Sequence, residues 1–213
     1  MPSLLWLAFW LFEDRCEPEP KRYIFFTFIA GGFAVAPVLF LEQYAAGVLA
    51  GSALLLAWAF TEETFKFGAA YVISLRSYVF DEPLDAVIYM VTAALGFAAV
   101  ENALFLFGSL QQGALHGVVT GDLRFIGATL LHTLSSSLIG ISLALSFYKS
   151  SGLRRLYALG GVILATALHT LFNFFILGQG GDATFFIFMC IWLGIIAVLL
   201  VVENIKHPVR DYC

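Results

Sequence analysis

Charge is what this sequence most conspicuously lacks. Only 12% of its 213 residues are Asp, Glu, Lys or Arg, against 61% hydrophobic, where a soluble domain carries about 25% charge. Such a chain cannot clothe a water-facing surface, which excludes an ordinary soluble globule and leaves a polytopic membrane protein. Apolar runs recur along its whole length and leave no room for a separate soluble part, so residues 1–213 read as one integral-membrane domain. Basic residues are too few and too scattered to form a nucleic-acid patch, and the formal net charge of −4 says little because most charges fall in loops. Cysteine is nearly absent. Cys16, Cys190 and Cys213 are odd in number and far apart, so they imply neither a disulfide framework nor a thiolate metal centre and read as small apolar residues. Residues 1–12 are apolar but have no basic flank and no A-x-A site, which argues against a signal peptide. Strict alternation is missing too, and with it a transmembrane β-barrel.

What remains is helical. A bilayer-spanning helix needs about 20 apolar residues, and the runs 23–41, 44–75, 84–108, 125–148, 156–177 and 184–202 meet that length. The expected fold is therefore all-α, a polytopic transmembrane bundle of six full spans plus a short amino-terminal apolar helix. The run 44–75 is long enough to tilt or to break near Gly68. Asp81-Glu82-Pro83 reads as a helix start, with Pro suited to the first turn, and 178–182 reads as a turn. Segment 108–124 is the longest outer connection, either a plain loop or one that shapes access to a site. Arg15, Lys21, Arg22, Arg76, Lys149, Arg154, Arg155, Lys206 and Arg210 fall on one side of these spans, whereas Glu42, Asp122, Asp182 and a single Arg124 fall on the other. The positive-inside rule places the basic loops and the carboxy terminus in the cytoplasm.

Against that background the polar residues inside the spans stand out. Each ionised side chain in hydrocarbon costs about 2.5–3.5 kcal/mol on the lenient insertion scale, yet Glu62, Glu63 and Lys66 lie together in 44–75. Glu62 and Lys66 are four apart and share a helix face, so an internal ion pair is the plain reading. That reading leaves Glu63 unexplained. Glu101 with Asn102, His132 with Ser135 and Ser136, and His169 with Asn173 are the remaining candidates. Taken singly, Glu101 reads as an interhelical anchor, a lone histidine as a satisfied core residue, and residues 135–137 as a small-residue packing face rather than a nucleophile. Depth changes the weighing. Counted from the cytoplasmic anchors, Glu63 stands about 20 Å above Arg76 and Glu101 about 27 Å above Pro83. His132 stands about 25 Å above Lys149 and His169 about 21 Å above Arg155. Scattered structural polars need not share a level, so these form one polar site in the outer half of the bilayer.

Such a set suits hydrolysis. A carboxylate can take a proton from water, and histidine can stabilise an oxyanion or protonate a leaving amine. Two histidines and a glutamate can alternatively hold Zn²⁺ with an open fourth position. No H-E-x-x-H helix is present, so a zincin-type site is not supported and the metal question stays open at this point.

Glu62-Glu63-Thr64-Phe65-Lys66 resembles the E-E-x-x-K motif of PrsW-type intramembrane proteases, grouped with CAAX prenyl endopeptidases and bacteriocin-immunity-type proteins. Phe97-x-x-x-Glu101-Asn102 resembles their second motif, and His132 and His169-x-x-x-Asn173 their later histidine motifs. Residues 17–22 and 81–85 resemble their juxtamembrane segments. The likeness covers nearly the whole chain in order. It implies an integral-membrane endopeptidase in which Glu62 or Glu63 activates water, His169 and Asn173 stabilise the oxyanion, and Glu101 and His132 complete the site, with zinc as a possible cofactor. It also implies a membrane-anchored protein substrate, an anti-sigma factor cut on its extracytoplasmic side, and a bacterial inner-membrane location. Glu101 stands where the prenyl-endopeptidase branch has histidine, which argues against CAAX processing. The short amino-terminal helix also departs from the family pattern. Two rival classes share the same residues: a proton- or ion-coupled carrier, which should show inverted repeats that this chain lacks, and a non-catalytic scaffold or immunity protein in which the polar layer is interhelical glue.

Overall fold

A computed structural model describes the backbone of residues 2–15, 17–111, 114–178 and 184–206, and side chains within 3–15, 17–111, 127–176 and 185–206. Among these residues every regular element is helical. The helices are α1 (Pro2–Glu13), α2 (Lys21–Ala46), α3 (Gly51–Ala70), α4 (Pro83–Gln111), α5 (Ala114–Leu145), α6 (Ser151–Gly178) and α7 (Thr184–Lys206). Five of them, α2, α4, α5, α6 and α7, contain stretches long and apolar enough to cross a membrane, and α1 is a short apolar helix. At 20 residues, α3 has the length to span as well, but Glu62, Glu63 and Lys66 interrupt its apolar character.

The run 44–75 is not one helix. Helix α2 continues through Ala46, the chain turns, and α3 restarts at Gly51, whose φ of +60° lies in the left-handed region that glycine adopts without strain. Of the two alternatives for that run, tilt or a break near Gly68, the break does not occur at Gly68. Helix α3 passes straight through it and loosens only at Tyr71–Leu75 into a π-helical turn before Arg76. The long outer loop expected over 108–124 is also replaced by helix: α4 extends to Gln111 and α5 begins at Ala114. No proline interrupts that stretch, so nothing in it forces the backbone out of helix. The turn expected at 178–182 lies largely outside the described residues.

Helix α4 is the axis of the bundle. Its residues from Leu84 to Ala98 are buried without interruption, enclosed chiefly by α2 and α5 and also by α1, α3 and α7. As expected, Pro83 opens it, and the Asp85 carboxylate accepts the backbone N–H groups of Asp81 and Glu82 at 2.9 and 2.7 Å. This caps the start of the helix with favourable charge. The crossing of α2 and α4 depends on glycine. A Cβ on Gly31 would fall 2.0 Å from the Ala93 carbonyl oxygen, and one on Gly96 would fall 1.9 Å from that of Phe28. Only residues without a side chain let the two backbones approach so closely, and this contact sets the position of Glu101 one turn beyond.

Near the start of α4 a second polar group is enclosed. Tyr89 donates a hydrogen bond to the Glu19 carboxylate, and the Glu19 backbone N–H donates to Asp14 at 3.3 Å. Asp14, Glu19, Asp85 and Tyr89 are all buried. Burial, reinforced by neighbouring Asp85, pushes the Glu19 carboxyl up to about 9.

Candidate active site

One turn of α3 delivers Glu62, Glu63 and Lys66 to the interior, and all three are buried. The Lys66 ammonium donates to Glu63 Oε1 at 2.7 Å and stands 3.4 Å from Glu62 Oε2. The tighter pair is thus Lys66 with Glu63, not the Glu62–Lys66 pair that four-residue spacing suggests. Both spacings lie on the inner face, and it is α5 that draws Glu63 inward. Ser135 and Ser136 of that helix donate to Glu63 Oε1 and Oε2 at 2.8 and 2.9 Å. The serine run is therefore more than a packing face. Two of its members hold a carboxylate; Ser135 also reaches the His132 carbonyl at 3.4 Å, and Ser137 bonds the Leu134 carbonyl of its own helix.

Helix α6 adds His169, whose Nδ1 lies 2.9 Å from Glu63 Oε1. A carboxylate only accepts, so Nδ1 carries the proton and the lone pair stays on Nε2, 3.9 Å from Glu62 Oε1. Helix α4 adds Glu101, with Oε2 2.8 Å from His132 Nε2, while His132 Nδ1 meets Lys66 Nζ at 2.8 Å. The two imidazole rings sit edge to face at 5.4 Å, with Phe97 against His132. Glu62, Glu63, Glu101, His132 and His169 therefore converge as the sequence led one to expect. Asn173 does not join them. It is half-buried one turn further along α6 and makes no hydrogen bond among the described residues.

Three residues weighed in the sequence, Lys66, Ser135 and Ser136, take a larger part than expected, and a fourth, Glu42, was missed. Lys66, expected only as the ion-pair partner of Glu62, reaches Glu63, His132 and Glu62 together. Ser135 and Ser136 carry no signal beyond spacing, because hydroxyls on an apolar helix usually bond their own backbone. Glu42, expected in an outer loop, lies in the closing turns of α2 with its carboxyl facing those of Glu62 and Glu101. Its one clue is that it follows buried Val38 by four residues.

The three carboxylates are not equivalent. Glu63 is wholly enclosed and receives Lys66, Ser135, Ser136 and His169. Glu62 Oε2 is buried yet accepts no hydrogen bond. Such an orphaned oxygen is costly unless a ligand satisfies it. Glu62, His132 and His169 each present a ligand atom, all within 4.8 Å of one another. Two imidazole nitrogens and a carboxylate oxygen are the donor chemistry of a catalytic zinc with an open fourth position. Each histidine also gives its other nitrogen to a carboxylate, the supporting arrangement that metal-bound histidines use. The residues fit a metal ion.

The model of a family described as the PrsW family intramembrane metalloprotease matches residues 19–202. The chain belongs to the PrsW family of intramembrane metalloproteases. Among PrsW proteases, that of Geobacillus kaustophilus is 28% identical over 182 residues, covering 84% of this chain and 77% of its own. That of Bacillus subtilis is 25% identical over 177 residues, covering 81% and 78%. No solved structure matches. As a PrsW-family member the chain is an intramembrane protease, and the carrier and scaffold readings give way to it. The candidate ligand atoms of Glu62, His132 and His169 come from three different helices, so bringing them together needs no H-E-x-x-H string.

Proposed function

We propose that the enzyme is an endopeptidase that cuts a membrane-anchored protein near the outer face of a bacterial inner membrane, with Glu62, His132 and His169 holding a divalent metal, zinc by their chemistry. The observation that carries this reading is the unsatisfied Glu62 Oε2 facing two histidines inside the bundle. When bound, the ion would supply a Lewis acid for the scissile carbonyl and for water.

The protein's own groups divide the remaining work. Glu63 fixes the tautomer and direction of His169, and Glu101 does the same for His132. Glu63 is too fully bonded and enclosed to meet water. Glu101, whose side chain is 17% exposed against 7% for Glu62 and 0% for Glu63, is the carboxylate placed to take a proton from the attacking water. Asn173, with no hydrogen bond among the described residues, has its amide available for the oxyanion. An apolar cavity of about 510 Å³ between α5, α6 and α7 includes Leu131, Leu168 and Phe172, each adjacent in sequence to His132, His169 or Asn173. It offers room beside the site for an apolar substrate segment.

The one-sided distribution of basic residues supports a cytoplasmic carboxy terminus and a catalytic layer in the outer half of the membrane, with α3 as a sixth crossing helix. The named relatives are bacterial proteases. Among membrane-anchored proteins, an anti-sigma factor cut in the first step of regulated proteolysis is the substrate class that the family resemblance favours. The test pairs metal analysis of the purified enzyme with cleavage of a single-pass anti-sigma factor in proteoliposomes, with and without chelator. Stoichiometric zinc and chelator-sensitive cleavage outside the membrane are expected. Cleavage by fully metal-free enzyme would sink the metal role, and no cleavage of any single-pass protein would sink the substrate class.

A further inference from the structure

Lys66 has no place in the chemistry described above, yet it is fully buried and touches more of the site than any other cation among the described residues. The key lies in what each nitrogen can do. An ammonium has only hydrogens to give. His132 Nδ1, 2.8 Å from Lys66 Nζ, must therefore accept, and the ring proton sits on Nε2, which donates to Glu101 at 2.8 Å. Neutral imidazole has one lone pair outside the ring system. In His132 it is spent on Lys66, whereas in His169 the lone pair on Nε2 faces Glu62 with no donor on it among the described residues.

From this asymmetry we infer that Lys66 is a built-in competitor for the metal, and that loading the site requires its ammonium to release His132 Nδ1. This rests on the metal reading proposed above. The exchange balances without moving a proton: the Nδ1 lone pair passes from an N–H of Lys66 to the ion, Lys66 keeps its three hydrogens, and Nε2–H stays on Glu101. Lys66 also has somewhere to remain. Its bond to Glu63 Oε1 at 2.7 Å is independent of His132, and the Phe97 ring face lies 4.9 Å away to receive the cation. Glu62 and His169 would capture the ion first, and His132 would close the site only after Lys66 lets go. By occupying His132 in the interval, Lys66 holds α3 and α5 in register and lowers the affinity for metal that a bare set of these ligands would have.

The experiment is Zn²⁺ titration of chelator-stripped wild type and Lys66→Met in detergent, read by competition with a chromophoric chelator and by thermal unfolding with and without zinc. Lys66→Met is expected to bind Zn²⁺ about tenfold or more tightly than wild type, with a lower unfolding temperature before zinc and a larger rise on adding it. Equal or weaker binding by the folded variant overturns the inference and leaves the proposed function standing. No binding by either protein overturns both. Zinc bound by the variant but not by wild type supports the inference most directly.

If Lys66→Met fails to fold, wild type alone decides the matter by nitrogen-15 NMR of labelled His and Lys. Zinc should shift His132 Nδ1 and Lys66 Nζ together. A shift at His132 with Lys66 unmoved overturns the inference.

Discussion

Two buried polar clusters sit near opposite ends of α4, and they keep their charges in different ways. Around Glu101, α3, α5 and α6 bring in an ammonium and two imidazoles, so the carboxylates are matched by donors and a cation. Around Asp85, burial together with the neighbouring carboxyls of Asp85 and Asp14 drives Glu19 toward its neutral form, against the hydrogen bond that Tyr89 donates. Burial penalises charge at both places. Where cationic and hydrogen-bonding partners are present, carboxylates can stay ionised and available for a metal or a proton. Where the neighbours are acids, a bound proton does the neutralising and the cluster fastens α1, α2 and α4 together. The first arrangement suits chemistry and the second suits a fastening.

The comparison can be broken at its strongest point by Glu62→Gln. Removing the carboxylate whose buried Oε2 faces both histidines without a hydrogen bond should lower proteolysis by about 10³-fold, the scale of losing transition-state electrostatic stabilisation. The unfolding temperature should barely move. A variant that cuts normally would remove Glu62 from the ligand set.

Glu63→Gln should behave oppositely in kind. It leaves the Lys66 charge and the Ser135, Ser136 and His169 donors short of their anion, which should cost about 3–5 kcal/mol of stability. Chemical unfolding in detergent would measure it, and an unchanged midpoint would show that Lys66 finds its balance elsewhere.

Ser135→Ala and Ser136→Ala each remove one donor from a buried carboxylate, for about 1–3 kcal/mol apiece. Because both act on Glu63, their effects should not add. Strict additivity in the double variant would separate the two hydroxyls.

The other cluster is tested by pH rather than by loss of a partner. The Glu19 carboxyl is raised in the folded protein to about 9, so the native state binds the proton more tightly than the unfolded chain. Its contribution is then fully present below the ordinary glutamate range and declines as pH rises toward 9. Glu19→Gln, which mimics the protonated form, should flatten that decline, matching wild type near pH 4 and exceeding it in stability near pH 8. Parallel pH profiles for the two proteins would contradict the assignment.

By itself the sequence determined the class of the molecule and named most of the residues that converge in its inner polar cluster. Long apolar runs in a chain so short of charge can only be stable as helices in lipid, because backbone groups there must be satisfied within the segment. Ionisable residues in those helices are expensive enough that Glu62, Glu63, Glu101, His132 and His169 declared themselves. The tertiary structure decided which partner each one takes. Glu62 and Glu63 are neighbours in sequence, and nothing local separates the carboxylate with a free oxygen from the one enclosed by four donors. Those donors come from α3, α5 and α6, and only the packing of these helices on α4 brings them within hydrogen-bond distance. The helix break before Gly51, the helical stretch replacing the outer loop, and Glu42 at the edge of the site were likewise settled by packing. Hydrophobicity records that a segment is buried, and only the neighbouring helices determine what it is buried against.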